Sequence, residues 1–273
     1  IVRLMIHETP AGMFIGLPIV DTNPNKGTTY GFMPILVGQK ETTKRITRIF
    51  APSLTYNPTF KMEPTMRAYF YPTEKATYFA RGAWSGNANK DLIGEMEDFD
   101  FMGKDISVGA RLAFDIDGTK RFHGVGPDSG ELQETNFLRK TFGYTARVGL
   151  PIFKDIGVKF NVAHRLAGEK ITDGVIPNLT NIRTRFPQHA PNRFHQDAEI
   201  QFFLDYDTRD SAMTTSKGFY AKGYMGNSQR AFASEYTFQR YGADLRWFQP
   251  WPNGKWTTAL RYRYDQLLGE APF

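Results

Sequence analysis

The stretch RYGADLRWFQPWPNGKWTTALRYRYDQ, residues 240–266, alternates charged and apolar side chains on both sides of a Pro-Asn-Gly turn. The charged positions are Arg240, Asp244, Arg246, Arg261, Arg263 and Asp265. The apolar or aromatic positions between them are Tyr241, Ala243, Leu245, Trp247, Trp256, Leu260, Tyr262 and Tyr264. Because the side chains of a β-strand point alternately to its two faces, this pattern predicts an antiparallel hairpin with one charged face and one aromatic face.

The same alternation recurs along the chain and predicts about eleven strands of roughly ten residues each, the length with which a tilted strand crosses a bilayer. Residues 87–104 lack the alternation and predict a short helix or a long turn. The predicted strands span residues 28–38, 46–56, 61–71, 76–85, 106–116, 141–150, 156–165, 198–210, 218–226, 236–248 and 255–266.

Composition excludes several classes of protein. The 273 residues contain no cysteine, which excludes disulfides and thiolate metal sites. No apolar run reaches the roughly 18 residues of a membrane-spanning helix. The net charge is +6, but the cationic residues are spread along the chain rather than clustered, which argues against a nucleic-acid partner.

Two β-architectures fit this pattern: a transmembrane antiparallel up-and-down β-barrel, and a soluble β-sandwich or soluble barrel. The length of the strands favours the membrane barrel, because strands of five or six residues are typical of other sheets. The aromatic residues favour it too, because we expect Trp247, Trp251, Trp256 and Tyr262 to form part of a girdle at the membrane interface.

The connections also favour an outer-membrane barrel, in which short turns lie at one rim and long loops at the other. The predicted short connections are 56–59, 150–155, 210–218 and 249–255, and the predicted long ones are 117–136, 167–197 and 227–235. The sequence therefore predicts an all-β transmembrane barrel.

Several motifs resemble the BamA/TamA-type outer-membrane superfamily, the bacterial surface antigen β-barrels. The most specific is LDYDTRDSAMTTSKGFYAKGYMG at 204–226, in which a strand ends in D-T-R-D and the next begins after a basic residue and a glycine. The segment RFHGVGPDSGELQETNF at 121–137 and the hairpin of residues 238–273 are similar to further segments of these proteins. The start of the barrel in this superfamily resembles GLPIVDTNPNKGTTYGF at 16–32.

The resemblance implies a barrel of sixteen strands that inserts or secretes other proteins through the outer membrane of a Gram-negative bacterium. About eleven of those strands are visible by alternation. We therefore expect residues 1–273 to be a single but incomplete outer-membrane β-barrel domain, with residues 1–27 as a lead-in segment. No periplasmic repeat domain of the family type is visible. The partners implied are the lipid bilayer and other outer-membrane or periplasmic proteins.

The mechanism that the resemblance implies is a seam between the first and last strands, where an unpaired edge templates an incoming strand. The first edge strand would be residues 28–38, and Gly27, Gly31 and Pro34 would weaken its pairing. An ordinary glycine- and proline-rich edge explains these residues equally well.

One group of candidate functional residues is a periplasmic-rim motif: Asp207, Thr208, Arg209, Asp210, Lys217 and Gly218. It fixes the rim or the register of the hairpin in one interpretation, and forms only a turn-local ion pair with an Asx turn in the other. We expect a second group to line the lumen: Arg111, Asp115, Arg147, Lys159, Asp205, Arg240, Asp244, Arg246, Arg261, Arg263 and Asp265. These form a charged channel or docking surface, or a solvated network that supports the wall.

The sequence predicts neither a catalytic site nor a metal site nor a cofactor. The histidines lack metal-ligand spacing, and the serines lack a convincing histidine and acidic partner. The functions left open are protein insertion or translocation, a passive pore or an anchor for a partner, and a soluble β-sandwich binding module.

Overall fold

The computed structural model describes residues 6–9, 11–23, 27–86, 89–127, 129–190, 193–210, 215–252 and 254–271. Parts of the predicted 1–27 segment, of the 87–104 segment, of the 210–218 turn and of the Pro-Asn-Gly turn lie outside these ranges. Nearly all regular structure is β. None of the described helical segments has the length and apolar character of a bilayer-spanning helix.

Sixteen strand segments belong to one sheet. They are β1 (Ile6–Thr9), β2 (Gly12–Asn23), β3 (Gly27–Gln39), β4 (Ile46–Phe50), β5 (Ser53–Asn57), β6 (Lys61–Phe70), β7 (Ala76–Ser85), β8 (Asn89–Phe101), β9 (Ile106–Phe122), β10 (Thr135–Phe153), β11 (Val158–Asp173), β12 (Thr180–Asn181), β13 (His195–Asp207), β14 (Gly218–Ser228), β15 (Thr237–Pro250) and β16 (Thr257–Glu270). Between β12 and β13 lies one helical turn, α1 (Ile182–Arg185).

Neighbouring strands in the sheet follow the order of the sequence from β1 to β16, with two exceptions. The first is the pair β4 and β5, which both lie between β3 and β6 and form one strand interrupted at residues 51–52. Pro52 occupies this gap, and proline has no N–H with which to continue a ladder. The second is β12, which pairs with β10 in parallel through Thr135–Thr180 and Asn136–Asn181.

The eleven predicted strands are present, and the structure adds others. Residues 12–23, expected to be part of a lead-in, form β2, which pairs with β3 over its whole length. Residues 89–101 form β8 rather than a helix or a turn. The alternation of β8 breaks near its end, where the Asp98 carboxylate accepts a hydrogen bond from the backbone N–H of Asp100. Asp98 and Asp100 are out of phase with Glu95 and Glu97 earlier in the strand, and this change of phase concealed the strand in the sequence.

The prediction that residues 28–38 form the first edge strand is wrong. β3 lies between β2 and the β4–β5 strand, and β1 is the first strand in the described part of the sheet. The glycine at 31 has a packing role instead: a Cβ there would lie 2.5 Å from the carbonyl oxygen of Leu54 and 2.6 Å from Cγ2 of Thr55. Gly31 therefore allows close approach of β5.

The predicted division into short and long connections is only partly right. Because successive strands run in opposite directions, the connection 58–60 lies at the same strand ends as the long connections 123–134 and 174–194. The short connections 154–157 and 251–256 lie at the opposite ends of their strands.

The described chain divides into two compact units, one within residues 1–97, 111–144 and 168–195 and the other within 98–110, 145–167 and 196–273. In the first unit, the connection after β11 folds onto the start of β10. The Asn136 side chain is buried and donates to the carbonyl oxygens of Leu179 and Thr180 at 2.9 and 3.2 Å. It also accepts from the N–H of Ile176 at 3.3 Å, so one amide holds three points of this connection.

The large apolar side chains of the strands are mostly exposed rather than buried. Trp84 on β7, Leu112 on β9 and Tyr262 on β16 each expose more than half of their surface. In a soluble β-sandwich these positions would be covered by a second sheet. The sheet therefore presents an apolar face to its surroundings.

Candidate functional site

The second unit contains the hairpin of residues 240–266, and its register places the charged side chains in rows across β14, β15 and β16. One row consists of Tyr220, Arg246 and Arg261, the next of Lys222, Asp244 and Arg263, and the third of Tyr224, Gly242 and Asp265. Residues directly opposite each other on neighbouring strands point to the same face. We refer to this surface as the charged face and to the opposite surface, with Leu260, Tyr262 and Tyr264, as the apolar face.

Asp244 is the centre of the charged face. Arg246, two residues along the same strand, donates from Nε and Nη2 to the two carboxylate oxygens at 3.1 and 2.7 Å. Arg261, on the neighbouring strand, donates in the same way at 3.0 and 2.8 Å. Two bidentate guanidiniums therefore share one carboxylate, an arrangement with strong directional preference.

Tyr220 connects the Asp244 group to β13. Its ring centroid lies 5.2 Å from Cζ of Arg246 and 4.6 Å from Cζ of Arg209, so both guanidiniums contact the ring. Its hydroxyl donates to the Asp205 carboxylate at 3.3 Å. Cation–π contacts of this kind stabilise the positions of both arginines.

From Asp205 the contacts continue to β11 and β9. Asn161 donates from Nδ2 to Asp205 at 2.7 Å, and the Ser107 hydroxyl donates to Oδ1 of Asn161 at 3.5 Å. Gly149 on β10 makes this crossing possible, because a Cβ there would lie 2.1 Å from Oδ1 of Asn161. We refer to Ser107, Asn161, Asp205, Tyr220, Arg246, Asp244 and Arg261 as the polar chain.

A second close approach lies in the row of Tyr224, Gly242 and Asp265. The Tyr224 ring lies over Gly242, where a Cβ would be 2.2 Å from the tyrosine hydroxyl. The Tyr224 side chain interacts electrostatically with the Asp265 carboxylate of β16. Arg263 approaches the same carboxylate with Nη2 at 3.7 Å.

The predicted periplasmic-rim motif is a closely bonded turn between β13 and β14. Asp207 accepts from the N–H of Arg209 at 3.0 Å and from its Nε and Nη2 at 2.9 and 2.7 Å. Hydrogen bonding to this carboxylate raises the pKa of Arg209. The Thr208 N–H donates to the carbonyl oxygen of Phe219 at 2.9 Å and its hydroxyl accepts from the N–H of that residue at 3.0 Å.

The far side of the turn has the same local character. The Asp210 carboxylate accepts from the N–H of Ser216 at 3.0 Å and of Lys217 at 3.3 Å, and from the Ser216 hydroxyl. Gly218 has φ +117°, and a Cβ there would lie 2.4 Å from the carbonyl oxygen of Thr208. These bonds have the form of the Asx-turn alternative, and the stacking of Arg209 on Tyr220 joins the turn to the polar chain.

The other candidate residues of the predicted lumen are distributed over further strands. Arg111 on β9 donates from Nε to Glu95 of β8 at 3.0 Å in the first unit, and Asp115 follows on the same strand. In the second unit, Arg147 lies on β10, and Nζ of Lys159 on β11 lies 6.0 Å from the centroid of Phe99. Arg240 lies opposite Gly226 on β14.

The four predicted interface aromatics, Trp247, Trp251, Trp256 and Tyr262, are all exposed. Trp251 donates from Nε1 to the Thr258 hydroxyl at 2.9 Å, which fixes the indole at the end of the hairpin. A further aromatic escaped the sequence analysis: Trp84 is exposed, and Nζ of Lys90 lies 3.7 Å from its ring centroid.

Sequence reasoning missed Tyr220, Lys222, Tyr224 and Asn161 on the charged face. The signal was present, because these residues occupy the same alternate positions of β14 and β11 as the glycines and charges around them. Selecting only charged residues excluded the tyrosines and the asparagine that connect the charges.

The side chains of the charged face can bind charged groups and form hydrogen bonds. They do not form a reactive centre. Within the described ranges, no group of three or more His, Cys, Asp or Glu side chains is placed to hold a metal ion. The site therefore offers an ordered array of guanidinium, ammonium and carboxylate groups on one face of a sheet, with apolar side chains on the other.

Comparison with solved structures identifies the fold. The chain is similar to the crystal structure of BamA from Haemophilus ducreyi lacking POTRA domains 1–3, with a TM-score of 0.51 and 11% sequence identity over 98% of this chain. The match covers 48% of the BamA chain, so this chain spans about half of it. At this identity the likeness establishes the fold, which is an antiparallel transmembrane β-barrel fold with an exposed apolar face.

Comparison with sequences gives the family. No curated protein matches the sequence. The model of the Omp85 superfamily domain matches residues 96–270, which is more than half of the chain and includes the polar chain and the rim motif. The chain therefore belongs to the Omp85 superfamily, a family of outer-membrane barrels for protein insertion and translocation.

Proposed function

We propose that this protein inserts other proteins into the outer membrane of a Gram-negative bacterium or translocates them across it. The observation that carries the proposal is the division of one sheet into a charged face and an exposed apolar face in a chain of the Omp85 superfamily. Its partners are the lipid bilayer and other outer-membrane or periplasmic proteins. Its role is non-enzymatic and uses neither a cofactor nor a nucleic acid.

In this proposal the charged face lines the lumen. The polar chain supports the wall, and the rim motif fixes the register with which β13 and β14 leave the membrane. Within the described residues, β1 lies at one end of the strand order and pairs with β2 from Ile6 to Thr9.

The direct test is an assembly assay. The full protein is reconstituted into liposomes, an unfolded outer-membrane client is added, and the folded fraction is followed by its heat-dependent migration in gels. We expect faster client folding than in empty liposomes. An equal rate in the two samples would contradict an insertion role.

The orientation of the sheet has its own test, since the chain has no native cysteine. Single cysteines replace Leu245 and Tyr262 on the apolar face and Arg246 and Arg263 on the charged face. A lipid-soluble maleimide is expected to label the first pair, and a membrane-impermeant one the second. The reverse pattern would contradict a lipid-facing apolar surface.

A passive pore is the second candidate, because Arg261 and Arg263 on the charged face are half exposed or more. Conductance in planar bilayers distinguishes the two functions. A steady ion-selective current together with no stimulation of client folding would favour the pore.

A further inference from the structure

We propose that the charged face of β14–β16 binds an extended acidic segment of a client polypeptide. This inference rests on the proposed function and names the chemistry of the client. The acidic groups recognised are carboxylates at alternate positions of the segment.

The charged face carries more cationic than anionic side chains. The rows that contain Arg246, Lys222 and Tyr224 hold four cationic side chains and two carboxylates on β14–β16, and Asp205 of β13, opposite Lys222, adds a third carboxylate. Asp244 already accepts four hydrogen bonds from two guanidiniums, so it neutralises only one of the two. Asp265 approaches Arg263 no closer than 3.7 Å. The face therefore has an excess of positive charge that an anionic partner would compensate.

The arginines of the charged face are held in place before a partner binds. Asp244 holds Arg246 and Arg261, and Tyr220 stacks on Arg246, so the rotamers of these side chains are set before a partner arrives. A guanidinium has five N–H donors. Arg246 and Arg261 each donate to Asp244 from Nε and Nη2 only. The remaining donors stay available, because the side chains of Arg261 and Arg263 are 51% and 61% exposed. Fixed donors lose less entropy on binding than flexible ones.

The geometry of β16 favours a polypeptide partner over a lipid. Lipid meets the opposite surface of β16, where Leu260, Tyr262 and Tyr264 are exposed. Arg261 and Arg263 are two residues apart on one strand, a spacing of roughly 7 Å. Carboxylates at alternate positions of an extended segment have the same spacing, so each would reach one guanidinium.

The test measures binding of a fluorescein-labelled peptide with glutamate at alternate positions to the full protein in non-ionic detergent, by fluorescence anisotropy. Replacing both arginines in R261Q/R263Q is expected to raise the Kd by ~tenfold or more, because two charge-assisted contacts are lost. The matched control is K40Q/K104Q, which removes the same charge from exposed turns and is expected to change the Kd by less than about twofold. Heat-dependent gel migration checks that both variants are folded.

Two further measurements distinguish this site from general electrostatics. D265N removes a carboxylate from the face and is expected to tighten binding of the peptide. A peptide of the same composition with its glutamates in one block is expected to bind more weakly. Equal Kd values for the wild type and R261Q/R263Q, or full displacement of the peptide by anionic phospholipid, would overturn the inference.

The failure of this inference is separable from failure of the proposed function. If the wild type accelerates client folding and R261Q/R263Q does so equally for acidic clients, the acidic recognition is refuted and the insertion role remains. If the wild type does not accelerate folding but binds the peptide through Arg261 and Arg263, the site remains and the insertion role is refuted.

Discussion

Replacing Asp244 by asparagine is the most informative perturbation of the charged face. The substitution keeps the shape of the side chain but removes the charge that two bidentate arginines share. Hydrogen bonds to a charged group contribute about 1.5–3 kcal/mol each when buried, and exposed ion pairs at most about 1 kcal/mol. Asp244 is 13% exposed while Arg261 is 51% exposed, so the site lies between these limits.

We therefore expect D244N to lower the free energy of unfolding by about 2 kcal/mol, since it leaves two neighbouring guanidiniums without a counter-charge. The assay is guanidinium unfolding of the protein in phospholipid vesicles, followed by tryptophan fluorescence. The control is D265N, in which the carboxylate is 42% exposed and its arginine is 3.7 Å away. We expect a loss below about 1 kcal/mol for D265N. A stability of D244N equal to that of the wild type, or equal losses in the two variants, would refute the reasoning.

Two more predictions concern packing. Gly149→Val is expected to destabilise the protein by about 1–3 kcal/mol, because a Cβ would overlap the Asn161 amide, whereas Gly94→Ala, with open space at its Cβ, is expected to leave the unfolding midpoint nearly unchanged. Asn136→Ala removes three hydrogen bonds and is expected to expose residues 174–190 to trypsin, measured by the rate of cleavage under native conditions. Equal midpoints for the two glycine variants, or an unchanged cleavage rate, would contradict these assignments.

The fold class was predictable from the sequence because each strand of a membrane barrel faces lipid on one side and water on the other. The alternation of residues 257–264 follows from the two-residue period of side chains along a strand, and this period can be read from the local sequence alone. Strand β8 was not predicted because its acidic residues change phase between Glu97 and Asp98, which interrupts the alternation without ending the strand.

The candidate site was predictable only as a set of charges. Which arginine binds Asp244 depends on the pairing of β15 with β16, and that register is a non-local property. The position of the sheet edge is also non-local. Gly31 gave a misleading signal because a glycine that admits a close neighbour and a glycine that weakens an edge look alike in sequence.

The crossing of Tyr224 over Gly242 has a mechanical consequence. The ring of Tyr224 on β14 fills the space over Gly242 of β15, so sliding β15 along β14 would bring the Cβ of a neighbouring residue into the tyrosine ring. We therefore expect β14 and β15 to keep their register and to move together. In the proposed transport of a client, we expect any opening of the sheet to lie outside this pair of strands.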